Sequence, residues 1–143
     1  MELNELSGLE LLTGMANGTI PYPSIADTMG FRAAEIKKGY VKFTAMADKR
    51  HLNPLGTVHG GFAASILDSV TGCAVHSALE AGVGYGTVDL NVKMLRAIPV
   101  DKELIAESTV LHISNRLGVS EGTLKDADGK LYAHGTATCM IYR

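Results

Sequence analysis

Residues 60–81 read GGFAASILDSVTGCAVHSALEA, and only Asp68, His76 and Glu80 among them are ionisable. Alanine, isoleucine, leucine and valine fall on nearly every face of a helix drawn through this segment. A helix that is apolar all round is enclosed by other parts of the protein, whereas a surface helix keeps one polar face. The segment therefore predicts one long helix surrounded by the rest of the chain.

The flanking sequence supplies the elements that would surround this helix. Apolar residues spaced by three and four predict an amphipathic helix over 3–15, and the glycine and two prolines within 17–24 are typical of a loop. Alternation of apolar and polar residues elsewhere predicts strands. The expected strands are residues 25–36, 39–47, 85–96, 101–113, 117–126 and 131–142.

Together these elements predict an α+β fold in which one antiparallel sheet wraps around the single long helix. Because the last four strands follow one another along the chain, we expect short hairpin-like connections between them. The chain of 143 residues fits a single domain. We assign residues 1–24 to an N-terminal helix and loop, and residues 25–143 to the core.

Composition narrows the classes of function. The chain has 13 basic and 15 acidic residues and no basic run, so nucleic acid is not an expected partner. Its first residues are acidic where a signal peptide is basic, and no apolar run approaches the ~20 residues that span a bilayer. The two cysteines form no C-x-x-C pair, and the histidine spacings fit no metal site. We therefore expect a cytoplasmic protein without a membrane segment or a metal.

The loop NPLGTVHGG, residues 53–61, leads directly into the central helix. The first N–H groups of a helix are unpaired and carry a partial positive charge, which suits a polarised carbonyl or an oxyanion. Gly60 and Gly61 lack a Cβ atom, so a ligand atom can approach their N–H groups closely. The alternative is that His59 only caps the helix and that the glycines only permit a tight turn.

Asp68 is a carboxylate in the middle of an enclosed apolar helix, where it is costly unless it is paired or used in chemistry. A structural aspartate bonded to a neighbouring loop is the alternative. At 1.5 Å per residue, Asp68 lies about 12 Å along the axis from Gly60. If both groups act on one atom, one of them must come from a second subunit whose helix runs antiparallel. The sequence therefore predicts a homodimer with composite sites.

The pattern Asn53-x-x-Gly56-x-x-His59-Gly60-Gly61, followed by Asp68, resembles the hotdog-fold acyl-CoA thioesterases. The resemblance is to the PaaI-type branch of the phenylacetate pathway, which includes one group of 4-hydroxybenzoyl-CoA thioesterases. It covers about residues 25–142. Within that range, VDLN at 88–91 resembles the family's next strand, and residues 126–129 resemble its late hairpin.

This resemblance implies a hotdog fold and a catalytic role for four residues. Asp68 would be the nucleophile or the general base, and the N–H of Gly60 would polarise the thioester carbonyl. Asn53 would position the carbonyl or the attacking water, and His59 would complete the catalytic loop. The reaction would release a free acid and CoA, without a cofactor, because CoA is part of the substrate.

The resemblance also implies substrate-binding residues and an assembly. Gly61 would lie against the substrate, Thr87 would orient water, and Arg96, Asn115 and Arg116 would contact the pyrophosphate and pantetheine of CoA. Members of the family form dimers whose sheets join edge to edge, often paired again into a homotetramer. We expect the same of this chain.

Two other functions remain open at this point. Hotdog hydratases and dehydratases act on the same CoA or carrier-protein thioesters, but their paired histidine and acidic residue are not evident here. A non-catalytic acyl-CoA-binding module would gain nothing from the carboxylate of Asp68. The identity of the acyl group, whether aryl, short or medium chain, is not determined by the sequence.

Overall fold

Six antiparallel strands and one long helix dominate the computed structural model, which describes residues 2–143. The central helix packs against the sheet, so the expected α+β fold is confirmed. Short 3-10 turns at Leu3–Glu5 and Lys49–His51 complete the chain. In chain order the elements are α1 (Gly8–Asn17), α2 (Ser24–Met29), β1 (Phe31–Lys37), β2 (Tyr40–Met46), α3 (Gly60–His76), β3 (Gly84–Met94), β4 (Glu103–Ile113), β5 (Leu117–Lys125) and β6 (Leu131–Tyr142).

The sheet has the order β1-β2-β4-β5-β6-β3, which corrects one expectation. β4, β5 and β6 are joined by short connections as predicted, but β3 pairs with β6 and not with β4. Both edges of β4 are already occupied, by β2 and by β5. Residues 95–102 therefore cross the end of the sheet, bonded to Tyr132 at one side and to Ala47 at the other.

The segment predicted as a strand from residue 25 is helical up to Met29, which is the second correction. Pro23 fixes the backbone just before α2, and Gly30 ends the helix in the left-handed region with φ 72°. Ala26, within α2, is fully buried. The helix forms because these local start and stop signals and the burial of Ala26 outweigh the alternation of apolar and polar residues.

The other two helices differ from the prediction at their ends. α1 begins at Gly8 because Ser7 and Glu10 form a reciprocal capping box, with bonds of 3.0 and 3.2 Å. α3 ends at His76 and not near residue 81. The chain continues from there in a tight turn that buries Leu79, whose carbonyl accepts a hydrogen bond from Gly8 N–H.

One face of α3 packs on the sheet and forms the centre of the core, whereas Asp68 lies on the half-buried opposite face. None of the helices within residues 2–143 is both long and apolar enough to cross a membrane. Buried residues of α3 that contribute to the core include Phe62, Ile66, Leu67, Val70 and Ala74.

Candidate active site

A cavity of about 210 Å³ lies over the outward face of α3. Its apolar wall comes from α1, residues 22–25, β1 and Phe43 of β2, and its polar wall comes from α3 and β3. The polar side chains that line it are Asp68, Ser69, Cys73, Tyr85 and Thr87. The cavity therefore brings together two of the residues predicted for the site, Asp68 and Thr87.

Asp68 is the one acidic side chain lining this cavity. Its Oδ1 atom is buried and has no hydrogen-bond partner among residues 2–143. A buried acceptor without a partner is costly, and an ionised carboxylate more so. No neighbouring loop bonds this atom, so the alternative of a structural aspartate held by a loop finds no support here. The geometry leaves the carboxylate free to bind a water or a substrate atom.

Cys73 and Tyr85, which line the cavity with Asp68, are neutral groups. Burial, followed by the nearby negative charge of Asp68, raises the pKa of the Cys73 thiol to about 12. Burial also raises the pKa of Tyr85, whose ring lies 4.9 Å from the ring of His76. The pKa of His76 is lowered by burial, so its imidazole is neutral at pH 7. Cys73 thus stays a thiol, as expected of a packing residue and not of a nucleophile.

The predicted catalytic loop is held together by Asn53. Its Oδ1 accepts hydrogen bonds from Leu55 N–H at 3.0 Å and from Thr57 N–H at 3.2 Å, while its Nδ2 donates to Thr57 Oγ1 at 2.8 Å. These bonds shape residues 53–57 into an Asx-type turn. Within the single chain Asn53 therefore organises the loop, and its role in positioning a carbonyl or water stays a prediction.

His59 caps α3. Its Nδ1 accepts a hydrogen bond from Gly61 N–H at 2.7 Å, so that N–H is occupied and unavailable to a substrate. The capping role considered from the sequence is therefore observed. The N–H of Gly60 is different: nothing in the described part of the chain accepts a hydrogen bond from it. Gly60 thus presents the free donor at the N-terminus of α3.

Gly60 lies in a second cleft, of about 360 Å³, at the start of α3. His59 and the predicted CoA contact Arg96 line the same cleft, beside Met94 and Tyr132. Asp68 does not line it. Helix geometry separates Gly60 from Asp68, and in one chain the two residues therefore line two distinct cavities.

Asn115 and Arg116, the other predicted CoA contacts, lie together in the β4–β5 turn. Arg143 Nε donates to the carbonyl of Asn115 at 2.8 Å, and Ile141 N–H donates to the carbonyl of Arg116 at 2.9 Å. They line a third cleft with Tyr142, which pairs with Gly84 at the start of β3. Arg96 follows the other end of β3, so one chain does not bring the three predicted CoA contacts together.

Tyr22 and Tyr85 are among the residues of the cavity wall that sequence reasoning missed. Tyr85 lies across α3 because Gly72 leaves room for it: a Cβ at Gly72 would lie 3.2 Å from Tyr85 Cε2. Neither contact has a local signature, because each joins elements distant in sequence. Among residues 2–143, no group of three or more acidic, histidine or cysteine side chains is placed to hold a metal ion.

A family model described as "Thioesterase superfamily" matches residues 55–133. The chain belongs to the thioesterase superfamily. The matched segment contains Gly60, Asp68 and Thr87 but excludes α1, α2, β1 and β2. The family therefore accounts for the polar wall of the cavity, while most of the apolar wall lies outside the matched region.

A solved structure and two curated relatives agree with this membership. A phenylacetic acid degradation-related protein of Ralstonia eutropha is 32% identical, with a TM-score of 0.83 over 91% of this chain and 98% of that one. This likeness confirms the hotdog fold. A candidate esterase of Halobacterium salinarum is 44% identical over 96 residues, 62% of either chain. Mouse acyl-coenzyme A thioesterase 13 is 29% identical over 92 residues, 64% of this chain and 65% of its own length. The match thus spans less than two thirds of each curated relative.

Proposed function

We propose that this member of the thioesterase superfamily hydrolyses an acyl- or aryl-CoA thioester to the free acid and CoA. The observation that carries the proposal is the buried, unpartnered Oδ1 of Asp68 in a cavity whose remaining wall is largely apolar. A carboxylate with these surroundings suits a base or nucleophile beside an acyl group. The similarity to mouse acyl-coenzyme A thioesterase 13 supports CoA as the thiol.

In this mechanism Asp68 attacks the thioester carbon or activates the water that does so, while the N–H of Gly60 stabilises the negative charge that develops on the carbonyl oxygen. As a general base, Asp68 takes a proton from water, the hydroxide bonds to the acyl carbon, and the carbon–sulfur bond breaks. CoA leaves as a thiolate and regains a proton. As a nucleophile, Asp68 would instead form an anhydride that water then hydrolyses. Both routes need neither metal nor cofactor.

The proposed site is shared between two copies of the chain. Asp68 and Gly60 line different cavities and are about 12 Å apart along α3, at 1.5 Å of rise per residue. An antiparallel α3 from a second subunit would bring one copy's Asp68 beside the other's Gly60. β3 is an edge strand with unpaired backbone groups, which makes it a suitable seam for joining two sheets. We propose a homodimer, paired again into a tetramer, that works in the cytoplasm.

The test is the release of free thiol from a panel of acyl- and aryl-CoAs, compared between wild type and Asp68→Asn. We expect the substitution to lower kcat by roughly two to four orders of magnitude, the usual contribution of a general base. Asp101→Asn is the matched control, because it removes an exposed carboxylate that does not line the cavity. Near wild-type kcat in Asp68→Asn would refute the mechanism.

The same panel separates the other two functions. Loss of enoyl absorbance without thiol release would identify a hydratase, and saturable binding of acyl-CoA without either signal would identify a binding module. Only thiol release from the wild type supports the proposed hydrolysis.

A further inference from the structure

The cavity beside Asp68 has a polar end and an apolar end. Thr87 and Tyr85 come from β3, at one edge of the sheet, whereas Phe31, Ala33 and Ile36 come from β1, at the opposite edge. α3 lies between the two edges. An acyl group whose carbonyl is near Asp68 therefore extends away from β3, toward the apolar wall under β1.

Tyr22 stands on this apolar side and is fixed by two contacts. Its hydroxyl accepts a hydrogen bond from the N–H of Ala33 at 3.0 Å, at the point where the register of β1 shifts by a bulge. The guanidinium of Arg32 lies over the ring, 4.6 Å from its centroid. The half-buried ring thus has the cavity on one side and a charged, solvent-exposed side chain on another.

Arg32 is itself held in place. It forms an ion pair with Asp27 of α2, and its Nη1 donates to the carbonyl of Phe31 at 2.8 Å. The hydrogen bond to β1 and the cation above the ring leave Tyr22 little freedom to rotate away. A rigid aromatic ring between an apolar cavity and solvent is suited to limit the size of what enters.

We propose that Tyr22 is the specificity-determining residue that ends the acyl cavity and sets the longest acyl group the site accepts. The inference rests on the proposed function, because it takes the cavity as the acyl site. A cavity of about 150 Å³ holds one benzene molecule. At the same volume per carbon, the cavity of about 210 Å³ holds roughly eight acyl carbons. Longer chains meet the ring of Tyr22.

The experiment compares kcat/KM for hexanoyl-, octanoyl-, decanoyl- and dodecanoyl-CoA in wild type, Tyr22→Ala, Tyr22→Leu and Tyr22→Phe. Tyr40→Ala is the matched control, since Tyr40 is bonded to Glu107 and does not line the cavity. In Tyr22→Ala we expect the ratio of kcat/KM for decanoyl-CoA to that for hexanoyl-CoA to rise. The rise should be about fourfold for each methylene newly buried. Tyr22→Leu should shift the ratio in the same direction by less.

Tyr22→Phe keeps the ring and loses only the bond to Ala33, so it should retain the wild-type chain-length profile. An unchanged profile in Tyr22→Ala and Tyr22→Leu would overturn the inference, as would an equal shift in Tyr22→Phe or in Tyr40→Ala. A uniform loss of rate at every chain length would also overturn it, because that result indicates a structural role alone.

Calorimetry of the matching non-hydrolysable acyl-CoA thioethers measures how binding affinity depends on chain length. This measurement needs no turnover. One outcome is that the wild type hydrolyses no acyl-CoA, while Tyr22→Ala binds longer acyl-CoA thioethers than the wild type does. The proposed hydrolysis then fails and the role of Tyr22 holds. If the wild type hydrolyses acyl-CoAs and neither profile changes, only the role of Tyr22 fails.

Discussion

Gly60 and Gly61 are neighbours, but their N–H groups differ in hydrogen bonding. The N–H of Gly61 donates to His59 Nδ1, whereas the N–H of Gly60 remains free at the N-terminus of α3. The unpartnered oxygen of Asp68 is the opposite case, an acceptor without a donor. At the residue scale, the proposed chemistry depends on the unpaired N–H of Gly60 and the unpaired oxygen of Asp68. The neighbouring polar groups already have hydrogen-bond partners.

Gly60→Ala tests the donor. The new methyl group would stand where the proposed carbonyl approaches, so we expect kcat to fall by roughly ten- to a thousandfold, the scale of losing an oxyanion donor. A Cβ at this position would also lie 2.9 Å from Met94 Sδ. The double variant Gly60→Ala with Met94→Ala removes that contact and serves as the control. Recovery of activity in the double variant would show that crowding against Met94, and not the carbonyl site, caused the loss.

α1 forms part of the cavity wall because its first turn docks on the end of α3. The N–H of Gly8 donates to the carbonyl of Leu79 at 3.0 Å, and Leu12, one turn later, is buried against the cavity. Gly8 is itself buried, and a Cβ there would overlap the backbone carbonyl of His76. At the element scale, one glycine therefore permits the contact that closes the site.

Gly8→Ala should consequently destabilise the protein by roughly 1–3 kcal/mol, the usual cost of overpacking. Urea denaturation measures the change. Gly84→Ala is the matched control, because a Cβ there meets only Tyr142 Cδ2, at 3.9 Å. Equal stability of the Gly8 and Gly84 variants would show that α1 moves aside without cost.

The turn between β5 and β6 is held by the nearly buried carboxylate of Asp126. Its Oδ1 accepts from the N–H groups of Lys130 and Asp128, and its Oδ2 lies 3.2 Å from Lys102 Nζ. The backbone hydrogen bond from Lys130, followed by Lys102 and Asp128, lowers the pKa of Asp126 below its ordinary value of 3.8. The ionised form is therefore favoured by folding.

This shift predicts how stability depends on pH. A carboxylate with a lowered pKa stabilises the fold above its unfolded value, and that stability is lost as the pH falls through the folded pKa. The melting temperature of Asp126→Asn should be below that of the wild type at pH 7. The two should converge as the pH falls below about 3.8. Asp128→Asn, exposed in the same turn, is the control, and a constant difference between wild type and Asp126→Asn would contradict the prediction.

The whole molecule, as a single chain, keeps Asp68 and Gly60 in separate cavities. The edge strand β3 leaves a row of backbone groups unpaired, and hydrophobic side chains such as Val88 and Met94 are exposed along it. A second copy joined at this edge would satisfy those groups and complete the site. At this scale, activity should belong to the assembly and not to the chain.

Mixing inactive subunits tests this prediction. When Asp68→Asn and Gly60→Ala chains exchange, each mixed dimer carries one site with both substitutions and one that is intact. Up to about half of the wild-type activity per mixed dimer should return, because a two-fold dimer has two equivalent sites. Native mass spectrometry establishes that exchange has occurred. Mixed dimers without activity would place each site within one chain.

Local patterns were sufficient for the central helix, its cap at His59 and the isolated carboxylate of Asp68, because periodicity and capping depend on residues close in sequence. They failed for residues 25–29, where alternation suggested a strand but Pro23, Gly30 and the burial of Ala26 make a helix. The family pattern marked Thr87, but nothing in the sequence pointed to Tyr22.

The partner of β3, the contact of Tyr22 with Ala33 and the separation of Arg96 from Asn115 and Arg116 were decided only by the tertiary structure. Each depends on how distant segments compete for the same space. β3 lies beside β6 because both edges of β4 are taken, and Tyr22 closes the cavity because a bulge in β1 offers it an N–H. A local pattern reflects a residue's preference for helix, strand or burial. Which distant segments come to lie side by side depends on the packing of the whole chain.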